Sequence, residues 1–244
     1  MYNLLISVVV GVGVALGVWA LGFGWLPALV PGVLAFLGAF VWLARRISLR
    51  VQGLMTQAQK ELQAVSQNPR EQKQRLERAV KILEEGLRYD RWQLLIGGEI
   101  HAQIGMLKYM GKDLDGAAAH LARSSGRNFL AQAIFGALKY QRKDYTGMDK
   151  AFESAIKNGR KEPLVWAAYA WCHDQLKNRD KALSILGRAV EANPSDEKLK
   201  SSLSALQNAK RLKMKPYEPQ WWQFGLEQPP MEIQGGRRVQ FQRR

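Results

Sequence analysis

The stretch Pro163–Asp196, PLVWAAYAWCHDQLKNRDKALSILGRAVEANPSD, decides the fold. Trp166, Tyr169, Ala170 and His173 recur at helical spacing along its first half, and Ala182, Leu186 and Ala189 do the same along its second until Pro194 stops the pattern. The spacing predicts a helix, a tight turn and a second helix. Small residues at Ala170, Ala182 and Ala189 let the two backbones approach, while Trp166, Tyr169 and Leu186 fill the space beside them. A helix pair of this kind cannot bury its apolar face alone, so copies are expected nearby. They are present: GMLKYMGKDLDG (Gly105–Gly116) parallels GALKYQRKDYTG (Gly136–Gly147), an internal duplication and the most specific signal in the chain.

With Trp166 near its head, Ala182 and Ala189 in its second helix and Pro194 at its close, the stretch resembles the tetratricopeptide repeat, whose signature recurs over about 34 residues. Tyr169-Ala170 stands where that family has Leu-Gly, His173 where it has Tyr, and Leu186 where it has Phe. One period upstream, Phe135-Gly136, Phe152 and Ala155 take the Leu-Gly, Phe and last Ala positions. The expected repeats are 98–128, 129–162 and 163–196, together making up most of the solenoid 69–212. The first of them is a few residues short, and the shortfall is placed in the loop after its second helix. Ala79, Leu83 and Gly86 match the second helix of a partial repeat, 69–97, whose first helix Asn68-Pro69 interrupts. Downstream, Asp196 is a candidate N-cap for a polar-backed capping helix, 197–212, that carries Leu199, Leu203, Leu206 and Leu212.

The N-terminal end has a different character. Leu4–Gly24 and Ala28–Ala44 are apolar runs within a segment, the first 44 residues, that contains no Asp, Glu, Lys, Arg or His. Each run is close to the roughly 20 residues needed to cross a bilayer. Trp25 lies in the turn between them and Tyr2 and Trp42 at the opposite ends, where interfacial aromatics are favoured. Charge begins at Arg45-Arg46 and Arg50, and the turn has none, so the positive-inside rule puts both chain ends and the repeats on the cytoplasmic side of an inner or plasma membrane. A cleaved signal peptide would need a basic start and a shorter apolar run. Gly11–Gly17 misses the dinucleotide-binding spacing, and no acidic residue for a ribose follows before Glu61. Gly13 and Gly17 instead predict a small-residue face against Ala28, Gly32, Ala35 and Ala39. The hairpin spans 1–46, followed by an amphipathic stalk helix, 47–68, with Ile47, Val51, Leu54, Met55, Leu62 and Val65 on its apolar side. The expected fold class is all-α: a two-helix transmembrane hairpin, then a short TPR-like α-solenoid of about three to four repeats, a capping helix and an extended tail.

That tail, 213–244, is rich in Pro, Gly, Gln and aromatics, and Pro216, Pro219, Pro229 and Pro230 forbid a continuous helix. Trp221, Trp222 and Phe224 are too apolar for a solvated linker and should dock on the repeats, a partner or the bilayer interface. The formal net charge of +15 favours anionic partners. Lys210, Arg211, Lys213, Lys215, Arg237-Arg238 and Arg243-Arg244 concentrate part of it at this end.

Nothing in the sequence assembles a catalytic, cofactor-binding or metal-ligating constellation. His101, His120 and His173 are scattered, no hydrolase, zinc-protease or phosphate-loop motif occurs, and the single cysteine, Cys172, excludes an intrachain disulfide. The expectation is a protein that is not an enzyme. The resemblance implies a membrane-anchored interaction adaptor or scaffold whose first helices line a groove for a peptide or helix of a partner protein. By position, that groove holds Gln103, Met106, Tyr109 and Met110, then Ala133, Ala137, Tyr140 and Gln141, then Ala168, Trp171, Asp174 and Gln175. The Lys, Arg and Asn that family members use to clamp terminal carboxylates are replaced at Ala102, Met106, Ala133, Ala137, Ala167 and Trp171. Membrane lipids are expected partners, nucleic acid is disfavoured and self-association is left open. The alternative is an electrostatic binder of anionic lipid or nucleic acid acting through the basic tail.

Overall fold

Residues without a charged side chain form helix α1 (Tyr2–Ala20) and the first half of α2 (Trp25–Gln63), with Gly22 at φ +90° turning the chain between them. The computed structural model describes residues 1–63, 68–92 and 96–228. Among these it is all-helical and contains no strand. It divides into two units, residues 1–125 and 126–244.

In the first unit, α1 and α2 are long and apolar enough to cross a membrane. Their side chains are mostly exposed, Val9 at 71% and Leu34 at 64%, which a core helix of a globular domain would not tolerate. The two helices touch through Gly11 and Gly32. A Cβ at Gly11 would lie 2.8 Å from the Phe36 Cβ, and one at Gly32 would lie 2.8 Å from the Ala15 Cβ. Gly13 and Gly17 meet nothing within 4 Å. The packing face is therefore the stripe Ser7, Gly11, Ala15, and the expected Gly13–Gly17 face is corrected: two residues along a helix turns a side chain by about 200°. The first N–H groups of α1 have no side-chain cap. The backbones of Tyr2 and Asn3 donate instead to the carbonyls of Arg91 (3.1 Å) and Trp92 (3.2 Å).

The expected division between hairpin and stalk at residues 46 and 47 has no counterpart in the backbone. Helix α2 runs through it for 39 residues, about 58 Å at the α-helical rise, because a change from apolar to charged side chains does not break a helix. Its C-terminal half buries Ile47, Val51 and Ala58 against Ala79 and Leu83 of α3 (Pro69–Gly86) and Ile100 and Ile104 of α4 (Ile96–Met110). The segment 47–63 thus supplies the pairing helix that the partial repeat 69–97 lacks within its own bounds. Asn68 caps α3 by accepting from the Arg70 N–H at 3.0 Å, with Pro69 in the first turn. Val65 lies outside the described residues. Helix α5 (Leu114–Leu121) has 8 residues, so the shortfall of this repeat falls in the helix itself and not in the loop after it. Local polar groups end it: the Ser124 hydroxyl donates to the Leu121 carbonyl at 2.6 Å, and the Ser125 N–H to the Gly98 carbonyl at 3.1 Å.

The second unit pairs α6 (Phe129–Gln141) with α7 (Tyr145–Asn158), and α8 (Pro163–Gln175) with α9 (Arg179–Ala192), and closes with α10 (Glu197–Gln207). Asp196 caps α10 through the Leu199 N–H at 2.8 Å. That helix stops at Gln207, short of the expected 212, where Ala209 enters the left-handed region at φ 58°.

One turn recurs between paired helices. Lys112, Lys143 and Lys177 adopt φ of 63°, 59° and 60°, and the residue after each caps the second helix. Asp113 accepts from Gly116 N–H and Asp144 from Gly147 N–H, both at 2.9 Å, and Asn178 from Lys181 N–H at 3.4 Å. Backbone bonds such as Asp144 N–H to Lys139 carbonyl, 3.0 Å, close the end of the first helix.

A non-glycine residue in the left-handed region costs about 1–2 kcal/mol, so Lys143→Gly should raise, and Lys143→Val lower, the denaturant midpoint of the detergent-solubilised chain; equal midpoints would remove the turn from the stability account. Gly32→Leu should weaken the α1–α2 contact by roughly 1–3 kcal/mol through overpacking, while Gly13→Leu leaves it intact, as read by cysteine cross-linking between the two helices.

Candidate interaction surface

On the first-helix face of the second unit, Trp171 of α8 stands edge-on to Tyr140 of α6, with ring centroids 6.0 Å apart. Its other side meets Trp221 edge-to-face at 5.2 Å. Trp221 is 1% exposed and Phe224 fully buried, their rings 5.8 Å apart. The C-terminal segment is therefore seated on the face formed by α6 and α8. Polar contacts hold it at both ends. The Gln141 amide donates to the Gly225 carbonyl at 3.0 Å, and the Leu212 N–H donates to the Asp174 carboxylate at 3.0 Å. The Trp221 indole N–H donates to Glu227 at 2.7 Å, and Leu212, Met214 and Tyr217 are buried along the way. Burial pushes the Tyr217 phenol up to about 12. The segment is not simply extended: Lys215–Tyr217 and Gln220–Phe224 form 3-10 turns, the second ended by Gly225 at φ 57°. Pro229, Pro230, Arg237-Arg238 and Arg243-Arg244 lie outside the described residues.

Tyr140, Gln141, Trp171 and Asp174 thus come together beneath Trp221 and Phe224, with Trp222 half-buried and Gln175 exposed. Ala133, Ala137 and Ala168 have no exposed surface and belong to the packing between helices. In the first unit, Tyr109 is buried and Gln103 and Met106 half-buried, the Gln103 amide donating to Glu99 at 3.1 Å, while Met110 is 65% exposed.

Two clusters were not visible in the sequence. On α7, Asp149 accepts from the Tyr169 hydroxyl (3.1 Å), from His173 Nε2 (2.9 Å) and from the Lys181 ammonium. Burial alone would push the Asp149 carboxyl up, but the hydrogen bonds from Lys181, His173 and Tyr169 outweigh it and hold it below its ordinary value. Burial keeps His173 low despite Asp149, raises the Tyr169 phenol and raises the Cys172 thiol. Lone acids on amphipathic helices are common, so only the i, i+4 pair Tyr169 and His173 hinted at a shared acceptor.

The second cluster corrects the reading of the histidines as scattered. His101 Nδ1 lies 3.0 Å from His120 Nδ1, so one nitrogen carries the proton and the other accepts it. Burial lowers both, reinforced at His101 by Arg123 and at His120 by His101 and Lys108. Among the described residues no group of three or more His, Cys, Asp or Glu side chains is arranged to hold a metal ion.

No protein-family model, curated protein or solved structure matches the chain.

All three histidines have folded-state values below the ordinary 6.5. The neutral rings therefore contribute stability that is fully present above that value and is lost as pH falls through the depressed ones, where the unfolded chain binds more protons. The unfolding temperature should decline on acidification from about pH 7 to pH 5, and His173→Gln should flatten part of that decline. A flat profile in the unmodified chain would contradict the buried neutral assignment.

Proposed function

We propose that the protein is a non-enzymatic adaptor: α1 and α2 anchor it as a two-span hairpin in an inner or plasma membrane, and a cytoplasmic solenoid of the tetratricopeptide type recruits or assembles another protein. The anchoring is supported by the exposed apolar surface of both helices and by the first charges of the chain falling at Arg45-Arg46. Tying the solenoid to a surface raises the effective concentration of any partner on that surface, so a weak contact suffices.

The observation that carries the reading is the seating of Trp221 and Phe224 against Trp171 and Tyr140. The face of α6 and α8 accepts an irregular segment through aromatic anchors and a few backbone hydrogen bonds, the mode in which a groove takes a peptide. The chain's own segment occupies the place a partner would take. The partner's docking segment then carries aromatic side chains two or three residues apart and competes with residues 212–227.

The test uses photo-cross-linking in intact membranes from a probe at Gln175. A chain ending at Lys215 should give several-fold more cross-linked partner than the full chain, and Trp171→Ala in that truncated chain should abolish the gain. No gain on truncation would overturn the competition. Carbonate washing should leave the full chain in the membrane pellet and release a chain lacking Met1–Ala44; release of the full chain would overturn the anchor.

A further inference from the structure

A cavity of about 890 Å3 opens in the first unit where the apolar runs end. Its wall includes Ile6 of α1, Leu43 and Ile47 of α2 and the aromatic rings of Tyr89 and Trp92. Three arginines, Arg46, Arg50 and Arg88, line the rest, and no carboxylate is among the lining residues. On α2, Leu43, Arg46, Ile47, Arg50 and Leu54 follow at helical spacing and share one face, so apolar side chains and two guanidinium groups alternate along one wall of the cavity.

The wall is built and not incidental. Trp92 is held by the Asn3 N–H on its carbonyl at 3.2 Å and by the Tyr2 ring at 5.6 Å, and the Arg88 guanidinium lies 5.0 Å over the Tyr89 ring. Arg46 lies 5.3 Å over Trp42. Among the described residues no carboxylate forms an ion pair with Arg46, Arg50 or Arg88. Three exposed cations line a partly enclosed space with no ion-paired carboxylate among the described residues, and guanidinium forks match phosphate oxygens in geometry as well as charge.

We propose that this cavity binds one anionic phospholipid, its phosphate held by Arg46, Arg50 and Arg88 and an acyl chain lying against Ile6, Leu43 and Ile47. The proposal rests on the membrane-anchored reading above. The position matches a headgroup: Ile6 and Leu43 belong to the charge-free runs, and Arg45, beside the cavity, is the first charged side chain of the chain. The volume falls within the range of pockets that enclose a compact ligand, which suits a glycerophosphate headgroup with its first methylenes. A zwitterionic lipid fits worse, because its ammonium would meet three arginines and find no carboxylate. The site differs from the tail-mediated electrostatic binding considered from the sequence, since every lining residue precedes Gln93.

The experiment takes the full chain purified in detergent, mixed with equal amounts of phosphatidylglycerol and phosphatidylcholine, and counts retained lipid by native mass spectrometry. The unmodified chain should retain phosphatidylglycerol in preference to phosphatidylcholine, with one molecule dominating, and millimolar inorganic phosphate should not displace it. Arg50→Ala with Arg88→Ala should weaken retention by about thirtyfold, the attraction expected of two interfacial arginines. Arg45→Ala with Lys60→Ala, equal in charge but outside the cavity, should change it by less than about twofold. Circular dichroism checks that helix content is unchanged in both double variants. Equal loss in the two would mean diffuse surface charge and would overturn the site, as would equal retention of the two lipids or displacement by phosphate. Carbonate washing of the same chains separates the failures: retention in the pellet without lipid preference sinks the cavity proposal alone, and release of the unmodified chain sinks the anchor with it.

Discussion

Two helical pairs, α4–α5 and α6–α7, bring their backbones together over a glycine that cannot carry a larger side chain without a shift of its neighbour, and a third, α8–α9, meets over a small buried residue. A Cβ at Gly105 would lie 2.7 Å from the Leu121 Cγ, and one at Gly136 would lie 2.6 Å from the Phe152 ring; in the third pair Ala170 and Leu186 have no exposed surface. Backbones this close leave apolar residues facing outward from the pair, and something else must cover them. In the second unit Phe152 and Tyr169 stack at 5.1 Å to join α7 and α8, and Leu199 and Leu206 of α10 cover the last pair. The tail residues Trp221 and Phe224 complete the cover on the first-helix face. In the first unit the covering element is the far half of α2. The far half of α2 in the first unit, and the tail residues in the second, are consequently parts of the packing of their own unit and not appendages to it.

The helical pairs were legible because they repeat. The Lys-Asp and Lys-Asn turns, the small residues on first helices and the bulky ones on second helices recur at nearly one spacing, and a repeated local rule survives even a partial match to a signature. The hairpin was legible because two apolar runs of bilayer length without a single charge leave no polar face to turn toward water. What escaped the sequence needed rotation or range. The Gly11–Gly32 contact and the Gly13–Gly17 alternative differ only in which way α1 faces, and glycine spacing does not set that rotation. His101 and His120 sit 19 residues apart on different helices, and their contact depends on how α4 and α5 are turned about their axes. The aromatic density at Trp221–Phe224 required docking without choosing among the repeats, a partner and the bilayer, because placing Trp171 and Tyr140 in a groove by position does not say what covers them. The cavity at Arg46, Arg50 and Arg88 combines one helix face with a loop brought in from more than thirty residues away, which no local window contains.

Electrostatics reinforces the packing through ion pairs between helices such as Arg188–Glu153 at 2.8 Å, and most densely at Asp149. Asp149 reaches from α7 to two side chains of α8 and one of α9, so three helices share one acceptor. Two of its donors are neutral and one is charged, which leaves the group with about one net positive partner and limits the desolvation cost of its partial burial. The neutral state of His173 has its own cost. With Nε2 donating to Asp149, Nδ1 is buried without a partner among the described residues, and a buried unsatisfied acceptor costs about 1–3 kcal/mol. Protonation would give Nδ1 a proton to donate with nothing to receive it, and Lys181 already supplies a positive charge at the same carboxylate. The unpaired acceptor is the lesser of the two penalties.

Seating the tail on the α6–α8 face sets a threshold for anything that would replace it. Fully burying each large apolar side chain is worth roughly 1.5–3 kcal/mol, so Trp221 and Phe224 together favour the docked state by roughly a hundredfold to ten-thousandfold before the cost of ordering the segment is subtracted. A partner that needs the same face has its apparent affinity reduced by the part of that ratio left after the ordering cost. A freely diffusing peptide with ordinary micromolar affinity would rarely win. Where the hairpin anchors the chain as proposed, a partner confined to the same membrane could, because confinement raises its effective concentration toward the millimolar values that linked segments reach. On the adaptor reading, the anchor and the tail are then two halves of one selection rule: the tail rejects ligands from bulk solution, and the hairpin admits those that share its surface.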